Sequence, residues 1–452
     1  WKVGEGGGRL GSQKISRTKR KPLNSAHAVA MSALITRAPA KADASQRANG
    51  EGGDVRFNRT FTFVASLLLA APHVAYAQDA RNVGVAERAR PEYDPLGMRF
   101  GGFQLNAAVN LDVGYSDNLF GEASGSEDDD VFITVRPEAR VDSTWSRHAA
   151  YLTGGAGFRA YDEFSSEEAT TGYLGAGGRM DITRDTSVGL DALAAREVES
   201  RTDPDSAFTL EPVEYDIRRF GGYVSHVYNR VSLRLSAEQT DYDYKPAGLG
   251  FDQNLRDRTD TAVSLRARYA ITPRLSVLGE IASEDREYDI ANASPDSEGM
   301  TYLVGAAFEL SNLLRGEVRV GQFEREYTPT IVAPNVGKVS GAAVSGRVQW
   351  FVTPLTTVTV GAGRDVQESG YDRPYVNTSV QARVDHELLR NVILTGGVSS
   401  ARLNFEGIDR DDESLLFDVG LRYLMNRRLS FTAAYVRYEN ESEGAEIGRA
   451  HV

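Results

Sequence analysis

The feature that most constrains this chain is a period-two alternation of apolar and polar residues along long segments. Between Val344 and Val352 the even positions are apolar or glycine and the odd positions are mostly polar, and a similar alternation runs from Leu415 to Tyr423. Alternation over this length is typical of an extended strand with two chemically different faces. The sequence therefore predicts long β-strands, each with one face toward an apolar environment.

The alternating segments come in pairs around short turn-like clusters that recur about every 40 residues. Long polar stretches such as 120–130, 200–212 and 283–299 separate one pair from the next. Short turns at one end and long loops at the other are typical of an outer-membrane barrel. The short clusters lie at 145–148, 183–186, 228–230, 271–274, 311–314, 352–356, 387–390 and 425–428.

A soluble β-propeller also repeats every 40 to 50 residues and is the main alternative. A propeller blade packs four short strands into that length, whereas each period here holds two long ones. We therefore predict an all-β fold, an antiparallel up-and-down transmembrane β-barrel with about 17 strands from Phe103 onward. Because bacterial barrels usually have an even strand number, we expect 18 in the intact protein, with a C-terminal strand missing.

Composition excludes several other classes of protein. The chain has no cysteine, which rules out disulfide frameworks, thiolate metal sites and cysteine nucleophiles. Its formal net charge of −12 argues against nucleic acid as a partner, because phosphate binding requires a basic face. A mean hydropathy of −0.37 argues against a helical membrane protein, but a barrel strand needs only every second residue apolar.

The two ends of the chain lack the alternating pattern of the barrel strands. Arg56 and Arg59 precede an apolar run at 61–71 and an A-x-A site ending at Ala77, which predicts a signal peptide over 55–77 and secretion to the outer membrane of a Gram-negative bacterium. We interpret 1–54 as disordered upstream translation and 446–452 as a sequencing-adapter artefact. Residues 78–100 are then a short periplasmic segment, too short for a folded plug, and 101–445 the barrel.

The apolar positions assign the lipid-facing side of each strand, so their polar neighbours are predicted to line the interior. Two interpretations stay open for this charged set: structural ion-pair ladders, or a stripe that recognises a substrate. We expect weak anion preference or little selectivity from it. The predicted pore-lining residues are Arg234, Arg266, Arg268, Arg315, Arg319, Arg347, Arg383, Arg422, Glu238, Glu280, Glu309, Glu317, Asp385 and Asp418.

Aromatic residues recur at two distances from the short turns. One set stands just before a turn and a second set stands about 11–16 residues beyond one. This spacing predicts two rings of lipid-facing aromatics, one at each membrane interface. The first set is Tyr228, Tyr269, Trp350 and Tyr423, and the second is Tyr161, Tyr242, Tyr288, Tyr327, Phe405 and Tyr438.

Catalytic and metal chemistry find little support in the sequence. The histidines His148, His226 and His386 all lie at or next to short turns, away from the long loops where a barrel hydrolase would need one. The acidic stretches 126–130 and 409–414 lack the order of a calcium-binding loop and are interpreted as solvated loops. We therefore predict a protein that is not an enzyme, with no catalytic residues, no metal and no cofactor.

Residues 89–120 carry a resemblance to a known family. PEYDPLG (91–97), the following Gly101-Gly102-Phe103 and GYSDNLF (114–120) are similar to the beginning of the outer-membrane β-barrel porins of proteobacteria known as the putative beta-barrel porin type. The hairpin pattern around 272–277 fits the same family, and the resemblance covers about 89–445.

The resemblance implies an outer-membrane channel, in some relatives the conduit of an exopolysaccharide export system. Implied partners are outer-membrane lipid and lipopolysaccharide, polysaccharide or small polar solutes, and export-machinery proteins, but no nucleic acid. The matching motifs are structural, so no polysaccharide-binding residue is carried over. A structural or adhesive barrel that acts through its extracellular loops stays open as the alternative function.

Overall fold

The computed structural model describes residues 24–37 and 83–444, apart from short stretches at 123–124, 202–208, 210, 249–251, 292–293, 331–335 and 370–372. Within the described residues, helical structure is limited to two short 3-10 segments, Ser165–Glu167 and Gln253–Arg256. No helix there is long and apolar enough to cross a membrane. The predicted signal peptide (55–77) and adapter artefact (446–452) lie outside the described residues.

Nineteen strands form one sheet within the described residues. They are β1 Asn24–Arg37, β2 Met98–Phe100, β3 Phe103–Ser116, β4 Asp130–Ser143, β5 Ala149–Tyr161, β6 Ala169–Asp181, β7 Thr186–Val198, β8 Glu214–Tyr228, β9 Val231–Tyr244, β10 Arg258–Thr272, β11 Leu275–Tyr288, β12 Ser297–Leu310, β13 Leu314–Tyr327, β14 Lys338–Thr353, β15 Thr356–Glu368, β16 Pro374–Leu389, β17 Val392–Phe405, β18 Arg410–Asn426 and β19 Leu429–Gly444.

Every strand from β3 to β19 pairs antiparallel with its neighbours in sequence. The β10–β11 pair, for example, keeps one register from Arg258 opposite Tyr288 to Ala270 opposite Ser276 before shifting next to its short turn. The strand β2 has three residues and pairs, among the described residues, with β3 alone. The predicted all-β, antiparallel up-and-down fold with 17 strands from Phe103 onward is confirmed.

The eighteenth position in the ring is filled by β1, which pairs antiparallel with both β19 and β3. Because β3 and β19 run in the same direction, one antiparallel strand between them satisfies the unpaired backbone groups of both edges. Our expectation that all of 1–54 is disordered is therefore wrong for Asn24–Arg37. This strand fills the position that we had assigned to a missing C-terminal strand.

The outer face of the sheet carries an apolar band. On β18, Leu415, Phe417, Val419 and Leu421 are each 42–46% exposed, while the residues between them point to the other face. The exposed series continues through Tyr423 and Met425, and a run of about ten residues on a tilted strand matches the apolar height of about 25 Å typical of outer-membrane barrels. The sheet therefore presents one lipid-compatible face and encloses the other.

The aromatic residues divide differently from our prediction. Tyr228, Tyr269, Trp350 and Tyr423 are 38–75% exposed on the outer face beside the short turns, as expected of an interfacial ring. The second predicted ring does not face the lipid. Its members occupy the alternate positions of their strands that face the interior, so this prediction is wrong. Distance from a turn fixes a residue's height along the strand, but the parity of the alternation fixes its face. The inward-facing set is Tyr161, Tyr242, Tyr288, Tyr327, Phe405 and Tyr438.

Candidate pore and its lining

All fourteen predicted lining residues lie on the inner face, since each alternates with exposed apolar residues of its own strand. Their contacts divide into a central group on β9 to β14 and smaller groups near the short turns. The central group includes a carboxylate shared between strands. Glu280 on β11 accepts hydrogen bonds from Arg266 on β10 and from Arg319 on β13, both at 2.7 Å.

A second carboxylate, Glu317 on β13, pairs with the same group. Arg268 donates to it at 2.8 Å, and nitrogens of Arg319 and Arg266 lie 3.4 and 3.6 Å from its Oε1. Gly305 on the intervening strand makes room for this crossing, because a Cβ at that position would lie 2.8 Å from Cγ of Arg319. The glycine lets an arginine of β13 reach across β12 to β11.

The positive charges of two arginines in this region are less well balanced by carboxylates. Arg234 on β9 stacks over the ring of Tyr223, with its guanidinium carbon 3.7 Å from the ring centroid. Arg347 on β14 lies opposite Glu317 in register, yet it is exposed to the interior and makes no ion pair with a described residue. Glu238 lies on the inner face of β9, two positions along from Ser236.

The other predicted residues lie closer to the short turns, except Asp418, which lies midway along β18. Arg383 pairs with Asp385 on the same strand at 3.1 Å, and Arg315 faces Glu309 in register. Asp418 lies over Gly397 of the neighbouring strand, where a Cβ would be 2.0 Å from its Oδ1. Arg422 follows on β18, one inner position past Gly420.

Near the long loops, β14 and β15 stop pairing with each other. Their pairing runs from Thr353 opposite Thr356 only as far as Val344 opposite Arg364. Beyond this point β14 continues to pair with β13, and β15 continues to pair with β16. The loop end of the β15–β16 hairpin is therefore free to leave the wall.

Glu368, at the end of β15, shows which way the hairpin goes. Its carboxylate contacts Arg286 on β11, Arg325 on β13 at 3.1 Å, and the hydroxyl of Ser297 on β12 at 2.9 Å. These partners lie on the inner faces of β11, β12 and β13, which are two to four strands away from β15 around the ring. Glu368 can reach them only if the hairpin end lies inside the barrel.

Apolar packing supports the same placement. Val366 on β15 and Val376 on β16 belong to a cluster with Phe323 of β13 and with Val339 and Ala343 of β14, all on the inner wall. Four consecutive residues of β16, from position 374 to 377, are buried, so both faces of the strand are covered there. The end of the β15–β16 hairpin therefore folds inward and constricts the mouth.

A second element lies at the same mouth, in the connection between β9 and β10. The 3-10 segment Gln253–Arg256 is folded inward, and Arg256 pairs with Glu199 at 2.5 Å with both side chains no more than 5% exposed. Beneath it Tyr215 and Tyr244 stack with ring centroids 5.0 Å apart. Burial also raises the pKa of Asp257, whose carboxylate accepts the backbone N–H of Tyr244.

The other mouth, at the short-turn end, holds the segment 84–94. Its Val85 is fully buried with Ile393 and Leu424 of the wall, and the Val85 N–H donates to Oγ1 of Thr357 at 3.0 Å. Glu87 accepts hydrogen bonds from Arg315 and Gln349, both at 3.1 Å. The segment therefore lies against the inner wall of β13 to β18.

Charge fixes this segment in place as well. Arg88 and Arg90 both donate to Oε2 of Glu387 on β16 at 3.1 Å, and Glu387 and Arg90 have side chains 8% and 9% exposed. Burial lowers the pKa of the Arg90 guanidinium. We interpreted 78–100 as a short periplasmic segment and did not anticipate these contacts. The charges around Val85 do not show by themselves which residues of the wall they meet.

The three barrel histidines lie where the sequence placed them, at the short turns. Nδ1 of His226 and of His386 each lies 2.9 Å from a threonine hydroxyl of the neighbouring strand, and His148 accepts the backbone N–H of Asp181. Among the described residues no group of histidine, aspartate and glutamate is arranged to hold a metal ion.

Comparison with known proteins gives a match to one family model and several distant structural likenesses. No curated protein sequence matches the chain. Among solved structures, the siderophore receptor PiuA from Acinetobacter baumannii has 9% identity and a TM-score of 0.39, covering 77% of this chain and 78% of that one. Pseudomonas aeruginosa OpdL has 13% identity and a TM-score of 0.36, covering 75% of this chain and 98% of that one. Likenesses this weak say nothing about what passes through the barrel.

The family model described as "Putative beta-barrel porin 2" matches residues 90–449, from the segment in the short-turn mouth to beyond the last strand. This match confirms the resemblance read from residues 89–120. Because it spans most of the chain, and because the paired strands form the barrel that such a family requires, the chain belongs to the putative beta-barrel porin 2 family.

Proposed function

We propose that this protein is a channel in the outer membrane of a Gram-negative bacterium, delivered there by a cleaved signal peptide. One observation carries the proposal: charged side chains lie along the inner wall from Arg315, which binds Glu87 near the short-turn mouth, to Arg325, which binds Glu368 near the long-loop mouth. A barrel that only anchored loops would not need a wet interior along its whole length. The short turns would then lie in the periplasm.

For the transported material we propose an exopolysaccharide, with export-machinery proteins as periplasmic partners. The support is the family resemblance together with an interior of guanidinium, carboxylate and amide groups, which can hydrogen-bond to sugar hydroxyls. Small polar solutes are the alternative transported material, because the same polar lining would also let them pass.

The decisive experiment is conductance. The purified full-length protein, inserted in planar lipid bilayers with KCl on both sides, is expected to give discrete current steps. In the native bacterium, deletion of the gene is expected to lower surface polysaccharide while intracellular synthesis continues. Normal surface polysaccharide in the deletion strain would contradict the export assignment, and a silent bilayer would contradict the channel itself.

A structural or adhesive barrel is the second candidate, and the two narrowed mouths favour it. The inward β15–β16 hairpin and the segment 84–94 both occupy space that a freely open pore would leave empty. If this candidate is right, the bilayers stay silent even after both elements are released by substitution, and cells lacking the gene lose adhesion or envelope integrity.

A further inference from the structure

The centre of the interior holds a concentration of arginine that ion pairing does not balance. We define the arginine cluster as Arg234, Arg266, Arg268, Arg319 and Arg347, on the inner faces of β9, β10, β13 and β14. Among the residues that the structure describes, only Glu280 and Glu317 form ion pairs with its members. Five guanidinium groups thus share two carboxylates, and each of these carboxylates already contacts at least two arginines.

The strand register makes the imbalance more pronounced. Arg234 and Arg266 lie directly opposite each other on β9 and β10. Like charges in direct cross-strand positions are destabilising, so this arrangement opposes folding. Neighbouring groups do not remove the excess. Even with Arg219, Asp191 and Glu238 of the adjoining wall included, six arginines face four carboxylates.

Two members of the cluster have donor groups available. Nη1 of Arg234 is buried and has no hydrogen-bond partner among the described residues, although the ring of Tyr223 covers one face of the guanidinium. A buried donor without an acceptor costs free energy that a bound acceptor would recover. Arg347 is exposed to the interior and makes no ion pair with a described residue.

The structure also holds the other members in fixed positions. Arg319 is 2% exposed and donates to Glu280 and to the hydroxyl of Ser345, one inner position from Arg347 on the same strand. Arg319 therefore contributes fixed positive charge next to Arg347, and the exposed guanidinium of Arg347 presents the paired donors that match carboxylate and phosphate oxygens.

We propose that the arginine cluster is an anion-binding site inside the barrel, for a ligand that carries several carboxylate or phosphate groups. This proposal rests on the proposed channel function, because it names the class of solute that the channel would recognise. Acidic saccharides and polyvalent inorganic anions share the chemistry and are separated by the choice of probe.

Isothermal calorimetry on the full-length protein in detergent tests the site directly. The probes are trigalacturonate and inorganic pyrophosphate, with maltotriose as the neutral control. We expect both anions to bind and maltotriose not to bind. Tighter binding of trigalacturonate would identify an acidic saccharide as the ligand class, and tighter binding of pyrophosphate would identify a compact polyvalent anion.

Substitutions assign the binding to the cluster. Arg347→Gln removes a guanidinium without breaking an ion pair, so the barrel should fold normally, and we expect affinity to fall roughly tenfold. Arg402→Gln is the matched control, because Arg402 lies on the outer face near the long loops and pairs with Asp411. We expect it to bind like the parent protein. Arg266→Gln and Arg319→Gln are less suitable, since each would remove one of the two arginines that pair with the buried Glu280 and would change folding as well as binding.

The proposal is overturned if neither anion binds the parent protein, or if Arg347→Gln and Arg402→Gln have the same affinity. These outcomes are separate from failure of the channel assignment. Calorimetry does not require conduction, so a protein that binds anions but gives silent bilayers would retain the site and lose the proposed function.

Discussion

The segment 84–94 offers the sharpest structural prediction, because a single buried carboxylate holds two of its arginines. Replacing Glu387 by alanine leaves Arg90 with its charge buried and unpaired. Removing one partner of a buried ion pair typically costs about 3–5 kcal/mol. Since every 1.4 kcal/mol is about a factor of ten, the ratio of docked to released segment should fall roughly 100-fold to several thousand-fold. The burial of Val85, worth about 1.5–3 kcal/mol, favours docking equally in the parent and in the variant, so it does not change this expected fold difference.

A disulfide can report the docked state, because the natural chain has no cysteine. A Cβ added at Gly84 would lie 3.5 and 3.7 Å from the two terminal side-chain atoms of Thr357. Cysteines at positions 84 and 357 are therefore close enough to bridge with a small shift. We expect rapid oxidation of this pair in the parent background and little in the presence of Glu387→Ala, measured by mobility after proteolysis between the two positions.

The matched control is Glu92→Ala. Glu92 also pairs with an arginine of the wall, Arg390, at 3.2 Å, but both side chains are more than half exposed. Exposed pairs contribute at most about 1 kcal/mol, so cross-linking should change less than about fivefold. Equal cross-linking in the Glu387→Ala and Glu92→Ala backgrounds would refute the assignment of Glu387 as the anchor. Absence of cross-linking in the parent would refute the docked segment itself.

Two further predictions concern the wall and the long-loop mouth. Glu368→Gln should release the inward hairpin and raise single-channel conductance in planar bilayers, whereas the exposed Glu326→Gln should not; unchanged conductance in both would mean that the hairpin does not limit the pore. Gly189→Ala should lower the unfolding midpoint in urea, at a cost of about 1–3 kcal/mol, because a Cβ there would lie 2.1 Å from the Tyr223 ring. Gly279→Ala, with its nearest atom at 4.0 Å, should be close to neutral, and equal effects would show that the ring does not rest on Gly189.

The sequence predicted the strands because the barrel imposes a strict local rule. Alternation and turn spacing depend on residues adjacent in sequence, so Leu415 and Asp418 could be assigned to opposite faces without any structure. The same parity placed Arg266 and Arg347 inside. Parity would also have placed Tyr327 and Phe405 inside, but we assigned them from their distance to the turns, and that choice was wrong.

The remaining features depend on contacts between distant parts of the chain. The hydrogen bond between Arg315 and Glu87 spans 228 residues, and the one between Arg286 and Glu368 spans 82. No periodicity in the sequence specifies which carboxylate meets which arginine across a wide barrel. The inward hairpin and the docked segment could therefore be recognised only once the strand order and register were known.

The most direct test of the account is a cysteine scan along β10, from Val263 to Tyr269, in the cysteine-free natural chain. Each single-cysteine variant is inserted in lipid vesicles and treated with a charged maleimide that cannot enter the bilayer. We predict a strict period of two: cysteines that replace Arg266 and Arg268 react from the aqueous interior, and those that replace Val263 and Leu265 are protected by lipid. Uniform reactivity, or protection at the arginine positions, would contradict the water-filled, arginine-lined barrel on which the proposed functions rest.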